Sequence, residues 1–313
     1  MSLVGTNLYE VRPGAKTTPP VEEFILASRP FRLGCSGASL SLECAAMRPE
    51  NVIWQFGSGR TGSTWLSRMI HDLPGFAMWN EPLVGNLVGD LWRWRGHGRR
   101  SENHFYVMPE KKPELWVPQL QAFVMSLAEA RFPAGDDARY LFVSEPNGAQ
   151  GAVPLMRAFP ESPFVFLLRD PRDVVTSFLA AASGGWAGDW AREDPDRFVA
   201  ARAKAVAKSF AWTWEAYKEH SGPKARIRYE DMRADPLETV SRLLDALSLP
   251  GAHTPELRRA VERWSWENPA FPVEKGPGEK QRRAKVGSYK DELTPAQAKT
   301  VEEACSAVLD SFY

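Results

Sequence analysis

Short apolar runs rich in β-forming residues alternate along this chain with stretches of helical pattern. The runs lie at 51–56 (NVIWQF), 140–143 (YLFV), 163–168 (PFVFLL) and 225–229 (ARIRY). Runs that are apolar on both faces and separated by helices are typical of a parallel sheet covered on two sides. The pattern therefore predicts an α/β fold, in which a single domain has a central, mostly parallel β-sheet flanked by helices.

Several helical stretches begin with strong capping signals. Asp170 and Asp235 are each followed by Pro and then, at the third helical position, by an acid, which after Asp170 is Asp173. This order predicts an N-cap residue, a Pro at the first helical position and a helix beyond it. Thr294 begins a similar signal near the C-terminus, and the apolar stripe that follows predicts that Cys305 lies in the core. The stripe consists of Ala298, Val301, Cys305 and Val308.

The ends of the chain set the predicted domain boundaries. Residues 1–20 are polar and end in Thr-Thr-Pro-Pro, which predicts a flexible N-terminus, and residues 21–313 are assigned to the folded domain. The N-terminal residues lack the basic and then apolar layout of a signal peptide. No apolar run approaches the ~20 residues that a membrane span requires, so none is expected.

Composition excludes several classes of partner. Lys plus Arg and Asp plus Glu both number 39, so no global charge favours nucleic acid or an anionic membrane surface. The 3 cysteines are too few and too scattered for a disulfide framework or a zinc site, and the 5 histidines show no metal-ligand spacing. We therefore expect no metal and no nucleic acid, and a reduced, cytoplasmic setting.

A glycine-rich loop follows the first predicted strand. Gly57, Gly59 and Gly62 match the G-x-G-x-x-G pattern of dinucleotide sites. Gly57, Gly62 and Thr64 also fit a phosphate-binding P-loop, although Ser63 stands where that loop requires Lys. Because a strand, a glycine turn and a helix N-terminus direct free N–H groups at one point, the loop predicts an anion site.

The side chains inside the loop bear on which anion it holds. Arg60, Thr61, Ser63 and Thr64 form a cluster of donors suited to a terminal, heavily ionised group. That cluster argues against a nicotinamide dinucleotide, although Glu81 lies about where a ribose-binding acid would be sought. A nucleoside triphosphate would need the missing Lys and a metal. An enzyme that uses NAD or a nucleoside triphosphate therefore stays an alternative.

The loop resembles the 5′-phosphosulfate loop of sulfotransferases that use 3′-phosphoadenosine 5′-phosphosulfate (PAPS). In that family the loop reads, in order, a basic residue, a small residue, Gly, either Ser or Thr, and then Thr. Trp or Leu often follows. The matching residues here are Arg60, Thr61, Gly62, Ser63, Thr64 and Trp65.

A second stretch, residues 164–179 (FVFLLRDPRDVVTSFL), resembles the 3′-phosphate element of the same family. Arg169 closes the predicted strand, and Ser177 follows eight residues later in the predicted helix. An Arg supplies a charged fork and a Ser a hydroxyl, and both suit a single phosphate group. The resemblance therefore implies that these two residues hold the donor's 3′-phosphate.

Two further segments are similar to family motifs. Residues 228–236 (RYEDMRADP) match a Tyr-Glu-Asp-Met strand end, which places Tyr229 near the adenine. Residues 282–294 (RRAKVGSYKDELT) resemble an Arg-Lys-Gly-x-x-Gly-Asp-Trp-Lys segment, with Ala for Gly and Ser-Tyr for Asp-Trp. By that register the 3′-phosphate is also held by Arg282, Arg283 and Ala284.

These four segments run in family order from about 52 to 294, and on them the chain is identified as a member of the PAPS-dependent sulfotransferases. Membership implies in-line transfer of a sulfonate from PAPS to an acceptor hydroxyl or amine, with adenosine 3′,5′-bisphosphate (PAP) as product and no metal. Arg60 would stabilise the charge on the leaving 5′-phosphate. A non-catalytic module that binds the nucleotide is a further alternative.

The resemblance also implies a carboxylate base. Glu81 lies 21 residues after Arg60, as in branches of the family that use Glu, and is the first choice. Glu145 follows the strand at 140–143 and is the second, since strand ends line the ligand crevice of an open α/β sheet. Ser144 stands where the animal cytosolic branch carries a Lys, and Lys285 or Lys290 would have to supply that charge.

The sequence does not identify the acceptor substrate. Residues 83–120 are a candidate insertion or lid over the acceptor, because tryptophans and arginines are interleaved there. Tryptophans packed beneath a solvated basic surface would give the same pattern. Small-molecule, carbohydrate, lipid and peptide acceptors all fit. The interleaved residues are Trp92, Arg93, Trp94, Arg95, Arg99, Arg100 and Trp116.

Overall fold

Five parallel strands form the centre of the fold. The structure, a computed structural model, describes residues 47–96, 107–133, 138–182, 190–268 and 285–313. For residues 94–96 it describes the backbone only. The predicted flexible segment 1–20 lies outside the described residues. The strands, in chain order, are β1 (Val52–Phe56), β2 (Phe76–Asn80), β3 (Tyr140–Ser144), β4 (Phe164–Leu168) and β5 (Lys224–Arg228).

The order of the strands across the sheet is β2-β3-β1-β4-β5. Within it, Trp54 of β1 lies opposite Val143 of β3 on one side and Phe164 of β4 on the other. The chain moves to one side of β1 for β2 and β3 and to the other side for β4 and β5. In open α/β sheets ligands bind outside the carboxyl ends of the strands at such a switch point. The loops after β1 and β4 border this crevice.

Helices cover the sheet, and the predicted α/β fold class is confirmed. None of the described helices is both long enough and apolar enough to cross a membrane. A π-helical turn, Leu91–Gly96, continues the second helix. The helices are α1 (Ser63–His71), α2 (Val84–Asp90), α3 (Val117–Arg131), α4 (Ala152–Ala158), α5 (Pro171–Ala181), α6 (Trp190–Glu193), α7 (Pro195–Glu219), α8 (Tyr229–Ala234), α9 (Pro236–Ala246), α10 (Pro255–Arg263), α11 (Tyr289–Glu292), α12 (Pro295–Ala304) and α13 (Ser306–Phe312).

The strand predictions hold at four places and miss one. No strand is predicted at β2, a five-residue edge strand whose burial declines towards Asn80, so its apolar signal is weak. The predicted strand 225–229 is shifted by one residue, because Tyr229 begins α8.

The capping predictions are confirmed at all three helix starts. The side chain of Asp170 accepts the N–H of Arg172, and that of Asp235 accepts the N–H of Glu238. Thr294 forms a full capping box with the residue at the third helical position. Cys305 is 1% exposed, as predicted for a core residue, and burial raises the pKa of its thiol to about 12.

Helix α2 lies unusually close to the segment between β3 and α4. A Cβ built on Gly85 would lie 2.4 Å from the carbonyl oxygen of Gly148, and one built on Gly151 would lie 2.3 Å from the carbonyl oxygen of Gly85. A Cβ built on Gly89 would lie 2.1 Å from Cγ of Gln150 and 2.7 Å from its backbone carbonyl carbon. Only residues without a side chain allow this contact, and it sets where α2 begins.

We predict that Gly85→Ala destabilises the protein by about 1–3 kcal/mol, because the added methyl group would overlap backbone atoms that cannot move independently. An exposed helix position would show the opposite sign, since Ala is the better helix former. Urea denaturation measures the difference, with Leu87→Ala on the exposed face of α2 as control, expected within about 0.5 kcal/mol of wild type. A stabilised Gly85→Ala variant would contradict the packing.

Candidate functional site

The glycine loop between β1 and α1 is held against β4 and α8 by close backbone contacts. A Cβ on Gly57 would lie 2.3 Å from the carbonyl oxygen of Leu167. Gly62 is the N-cap of α1 in the left-handed conformation (φ 91°), and a Cβ there would lie 2.6 Å from the ring of Tyr229. No side chain caps α1. The N-terminal turn of this helix therefore offers N–H groups to an anion in the crevice.

The two predicted phosphate-binding elements meet directly. Arg60, in the left-handed conformation (φ 67°), donates from Nε to Ser177 Oγ of α5 at 2.9 Å. Arg169, at the end of β4, donates from Nη1 to the carbonyl oxygen of Arg60 at 3.1 Å. The guanidinium of Arg169 also stacks on Tyr229, 4.3 Å from the ring centre. The structure thus brings Arg60, Arg169, Ser177 and Tyr229 into one cluster.

Arg169 is 8% exposed and has capacity for another acceptor. Its Nε is buried without a partner in the described part of the chain, whereas Nη2 donates to the carbonyl oxygen of Lys285 at 3.3 Å. The predicted residues Arg282, Arg283 and Ala284 lie outside the described residues and directly precede Lys285. Their role stays a prediction. The ammonium of Lys285 pairs with Asp291.

The remaining loop residues shape the site in different ways. The buried hydroxyl of Thr61 donates to the carbonyl oxygen of Ser58 at 2.7 Å and so stabilises the loop. Ser63 is 5% exposed and Thr64 is half-buried at the start of α1. Trp65 donates from Nε1 to the carbonyl oxygen of Trp264 at 2.8 Å.

Tyr229 forms one wall of the site. Its ring packs edge-on against Trp65 at 6.1 Å between centres, in addition to the contact with Arg169. Burial raises the pKa of the phenol, and the neighbouring cations oppose that shift. Tyr229 therefore stays neutral near pH 7 and presents an apolar, π-rich face.

Glu81 lies in a strained connection between β2 and α2. Both Glu81 (φ 50°) and Leu83 (φ 62°) adopt the left-handed conformation that residues other than glycine rarely take. The N–H of Glu81 donates to the carbonyl oxygen of Ser144 at 2.8 Å, which fixes the backbone while the side chain stays half-buried. Strain of this kind clusters at functional sites.

Asn147 connects Glu81 with the glycine loop. Its Nδ2 donates to Glu81 Oε2 at 3.1 Å, and its Oδ1 lies 2.8 Å from where a Cβ on Gly59 would be. Sequence reasoning missed Asn147, and the available signal was its position three residues after the end of β3. The contact places the carboxylate of Glu81 beside the anion site.

Glu145 is the second candidate base and is 0% exposed. Its Oε1 accepts the N–H of Gly85 at 3.2 Å, and Oε2 has no partner in the described residues and lies against Gly148. Burial raises the pKa of this carboxyl to about 7, the N–H groups at the start of α2 lower it, and the charge of Glu81 raises it.

Ser144, at the position of the missing Lys, is also buried. Its hydroxyl donates to Gln55 Oε1 at 2.8 Å, between β3 and β1. The side chain at this position therefore stabilises the sheet.

The tryptophans of the candidate lid that the structure describes are core residues. Trp92 and Trp116 are 1% and 3% exposed and pack together with 5.4 Å between ring centres. Arg93 stacks on Trp212 and pairs with Glu215 at 3.3 Å. The burial of the two tryptophans agrees with Trp packed beneath the surface, whereas the Arg93 side chain is 18% exposed and paired. Nothing is described for the side chains of Trp94, Arg95, Arg99 and Arg100, so a lid over 83–120 stays a prediction.

The structure is an α/β protein in which the glycine loop, Arg60, Arg169 and Ser177 form a candidate anion site at the switch point of the sheet. The model of the sulfotransferase family matches residues 53–254, more than half of the 313 residues. The chain therefore belongs to the sulfotransferase family. No match is found among curated proteins.

Several solved structures of similar fold are sulfotransferases. Mouse sulfotransferase SULT7A1, solved with PAP, is 14% identical, with 83% of each chain covered and a TM-score of 0.52. The sulfotransferase domain of the curacin biosynthetic pathway is 18% identical, covers 83% of this chain and 98% of its own, and has a TM-score of 0.51. That of the Synechococcus PCC 7002 olefin synthase is 16% identical, with 86% and 98% covered and a TM-score of 0.51.

We predict a pH-dependent cost of keeping Glu145 buried. Its folded pKa of about 7 lies above its ordinary 4.5, so the free energy of unfolding should fall as the pH rises between these values. Glu145→Gln removes this loss. The variant should match wild type at about pH 4, below both pKa values, and exceed it by up to about 3 kcal/mol at about pH 8. Urea denaturation at both pH values measures the difference.

Glu303→Gln is the control for this comparison, since the Glu303 side chain is 69% exposed and the same substitution should leave stability unchanged at both pH values. A stability difference between Glu145→Gln and wild type that does not vary with pH would contradict the shifted pKa.

Proposed function

We propose that the protein transfers a sulfonate from PAPS to an acceptor hydroxyl or amine and releases PAP. The observation that carries the proposal is the contact between the two anion-binding elements. Arg60 of the glycine loop reaches Ser177, and Arg169 holds the backbone of Arg60. A donor with separate 5′- and 3′-phosphate groups needs two such elements side by side, whereas a nicotinamide site needs one.

The residues present fit this donor. The glycines let the loop pack directly against β4 and Tyr229, and the buried Nε of Arg169 has no acceptor among the described residues. In the proposed complex the N–H groups of α1, with Arg60, Ser63 and Thr64, bind the 5′-phosphate. The 3′-phosphate is bound by Arg169 and Ser177, and by residues 282–284 on the resemblance. The mouse sulfotransferase of similar fold, solved with PAP, supports the assignment of the nucleotide.

Sulfonate transfer requires stabilisation of the leaving group and a base for the acceptor. PAPS supplies a sulfonate that is activated by its bond to the 5′-phosphate. As the oxygen or nitrogen of the acceptor bonds to sulfur, the bond between sulfur and the 5′-phosphate oxygen breaks, and Arg60 stabilises the charge that develops on the departing phosphate. A carboxylate accepts the proton of the acceptor hydroxyl or amine.

We assign the base to Glu81 in preference to Glu145. Glu81 is half-buried and held beside the loop by Asn147, so an acceptor can reach it. Glu145 is fully buried behind α2, and its unpartnered oxygen faces Gly148. A buried carboxyl in that place supports the backbone of α2 and would take a proton only through a rearrangement. The acceptor itself stays open among small molecules, carbohydrates and lipids.

The first prediction concerns the donor. Calorimetric titration should show tight binding of PAP and much weaker binding of NAD⁺ and ATP. Arg169→Ala should weaken PAP binding about 100-fold, because it removes a charged fork from one phosphate. Arg258→Ala on the exposed side of α10 is the matched control and should bind PAP as wild type does. Preference for NAD⁺ or ATP would instead favour the alternative enzyme classes.

The second prediction concerns the base. Glu81→Gln should lower kcat for sulfonate transfer from PAPS by about 10²- to 10⁴-fold and leave the affinity for PAP unchanged. The assay follows labelled sulfonate on a panel of phenols, alcohols, amines and sugars. Glu145→Gln is the comparison and should keep most of its kcat. A larger loss in Glu145→Gln than in Glu81→Gln would reverse the assignment, and no transfer by the wild type to any acceptor would favour a nucleotide-binding module.

A further inference from the structure

Asp173 is a fully buried acid whose expected local role is filled by another residue. At the third position of α5 it would ordinarily accept the N–H of the N-cap residue, Asp170. That N–H donates instead to Glu230 Oε1 at 2.8 Å, and the second oxygen of Glu230 accepts the hydroxyl of Tyr313 at 3.1 Å. Since the start of α5 is capped without it, the carboxylate of Asp173 serves another purpose.

That purpose is visible in its partners, which lie 114 to 116 residues later in the chain. Asp173 Oδ2 accepts the N–H of Gly287 at 2.7 Å. Oδ1 accepts the N–H of Tyr289 at 3.0 Å and the hydroxyl of Ser288 at 3.2 Å. The side chain of Asp173 is 0% exposed, and a carboxylate at such depth needs several donors to offset its desolvation. Three donors from one short segment meet that need.

The segment 285–289 is tied to the same end of α5 by two cations. Arg169 Nη2 donates to the carbonyl oxygen of Lys285 at 3.3 Å and lies 3.7 Å from Asp173 Oδ2. Arg172 stacks on the ring of Tyr289, 4.2 Å from its centre. Gly287 takes a left-handed conformation (φ 75°), which lets the N–H groups of Gly287 and Tyr289 point towards one carboxylate.

We propose that Asp173 is a positioning residue for recognition of the donor's 3′-phosphate, an inference that rests on the proposed function. Asp173 accepts three donors of the segment 285–289 and lies 3.7 Å from Arg169 Nη2. The carboxylate therefore holds that segment and the guanidinium of Arg169 in one fixed arrangement. It touches neither the donor nor the acceptor.

The test is Asp173→Asn. The amide keeps the size of the side chain, but in either orientation its NH₂ group faces an N–H or O–H donor of the segment. Asp235→Asn is the matched control, because it makes the same chemical change at the N-cap of α9, where Asn is as good a cap as Asp. Titration with PAP and with adenosine 5′-monophosphate (AMP), which lacks the 3′-phosphate, isolates the recognition of that group.

We expect Asp173→Asn to weaken PAP binding by about 10- to 100-fold and to leave AMP binding unchanged. Hydrogen exchange of the unliganded protein should show faster exchange of the amides at 285–290 in this variant. Ser288→Ala removes only one of the three donors and should reduce PAP affinity by a smaller factor in the same direction. It provides the test if Asp173→Asn does not fold.

The possible results separate the two hypotheses. Equal losses for PAP and AMP in Asp173→Asn, or unchanged PAP binding, would overturn the positioning role while the wild type still prefers PAP. Unchanged hydrogen exchange at 285–290 would overturn it as well. Failure of the proposed function has a different signature, since the wild type itself would then not prefer PAP to AMP.

Discussion

The buried guanidinium of Arg169 is the interaction on which the site depends. It joins four parts of the chain, through the carbonyl oxygens of Arg60 and Lys285, the ring of Tyr229 and the carboxylate of Asp173. A charge that is 8% exposed needs nearby acceptors and an opposite charge to offset its desolvation, and these segments supply them for every part of the guanidinium except Nε. The arrangement of the four segments around the candidate site is therefore coupled to this one cation.

A second constraint is the glycine contact of α2, which separates the roles of two neighbouring carboxylates. Because Gly85 lies against Gly148, helix α2 closes over Glu145 and removes it from solvent. The same helix start leaves Glu81 in a strained turn with its side chain towards the glycine loop. One carboxylate thus becomes a buried group with a pKa of about 7, and the side chain of the other stays half-buried.

Local sequence patterns predicted the features that depend on one helix or strand alone. Four strands, three caps and the burial of Cys305 follow from apolar runs and short-range hydrogen bonds, which act over a few residues. Strand β2 was not predicted, because an edge strand is only partly buried and its apolar pattern is weaker. Asn147 was not predicted as a site residue, because it joins the site through a hydrogen bond to Glu81, which is 66 residues away in sequence.

The sequence by itself determined the α/β class, the glycine loop and the donor-bearing residue types of the candidate site, since each depends on local backbone geometry and side-chain chemistry. The tertiary structure decided which residue completes which interaction. Asp173 looks like the acid of a capping box, yet Glu230 takes that hydrogen bond and Asp173 binds the segment 285–289. The physical reason is that a carboxylate accepts any well-placed donor, and which donor is near depends on how distant segments pack.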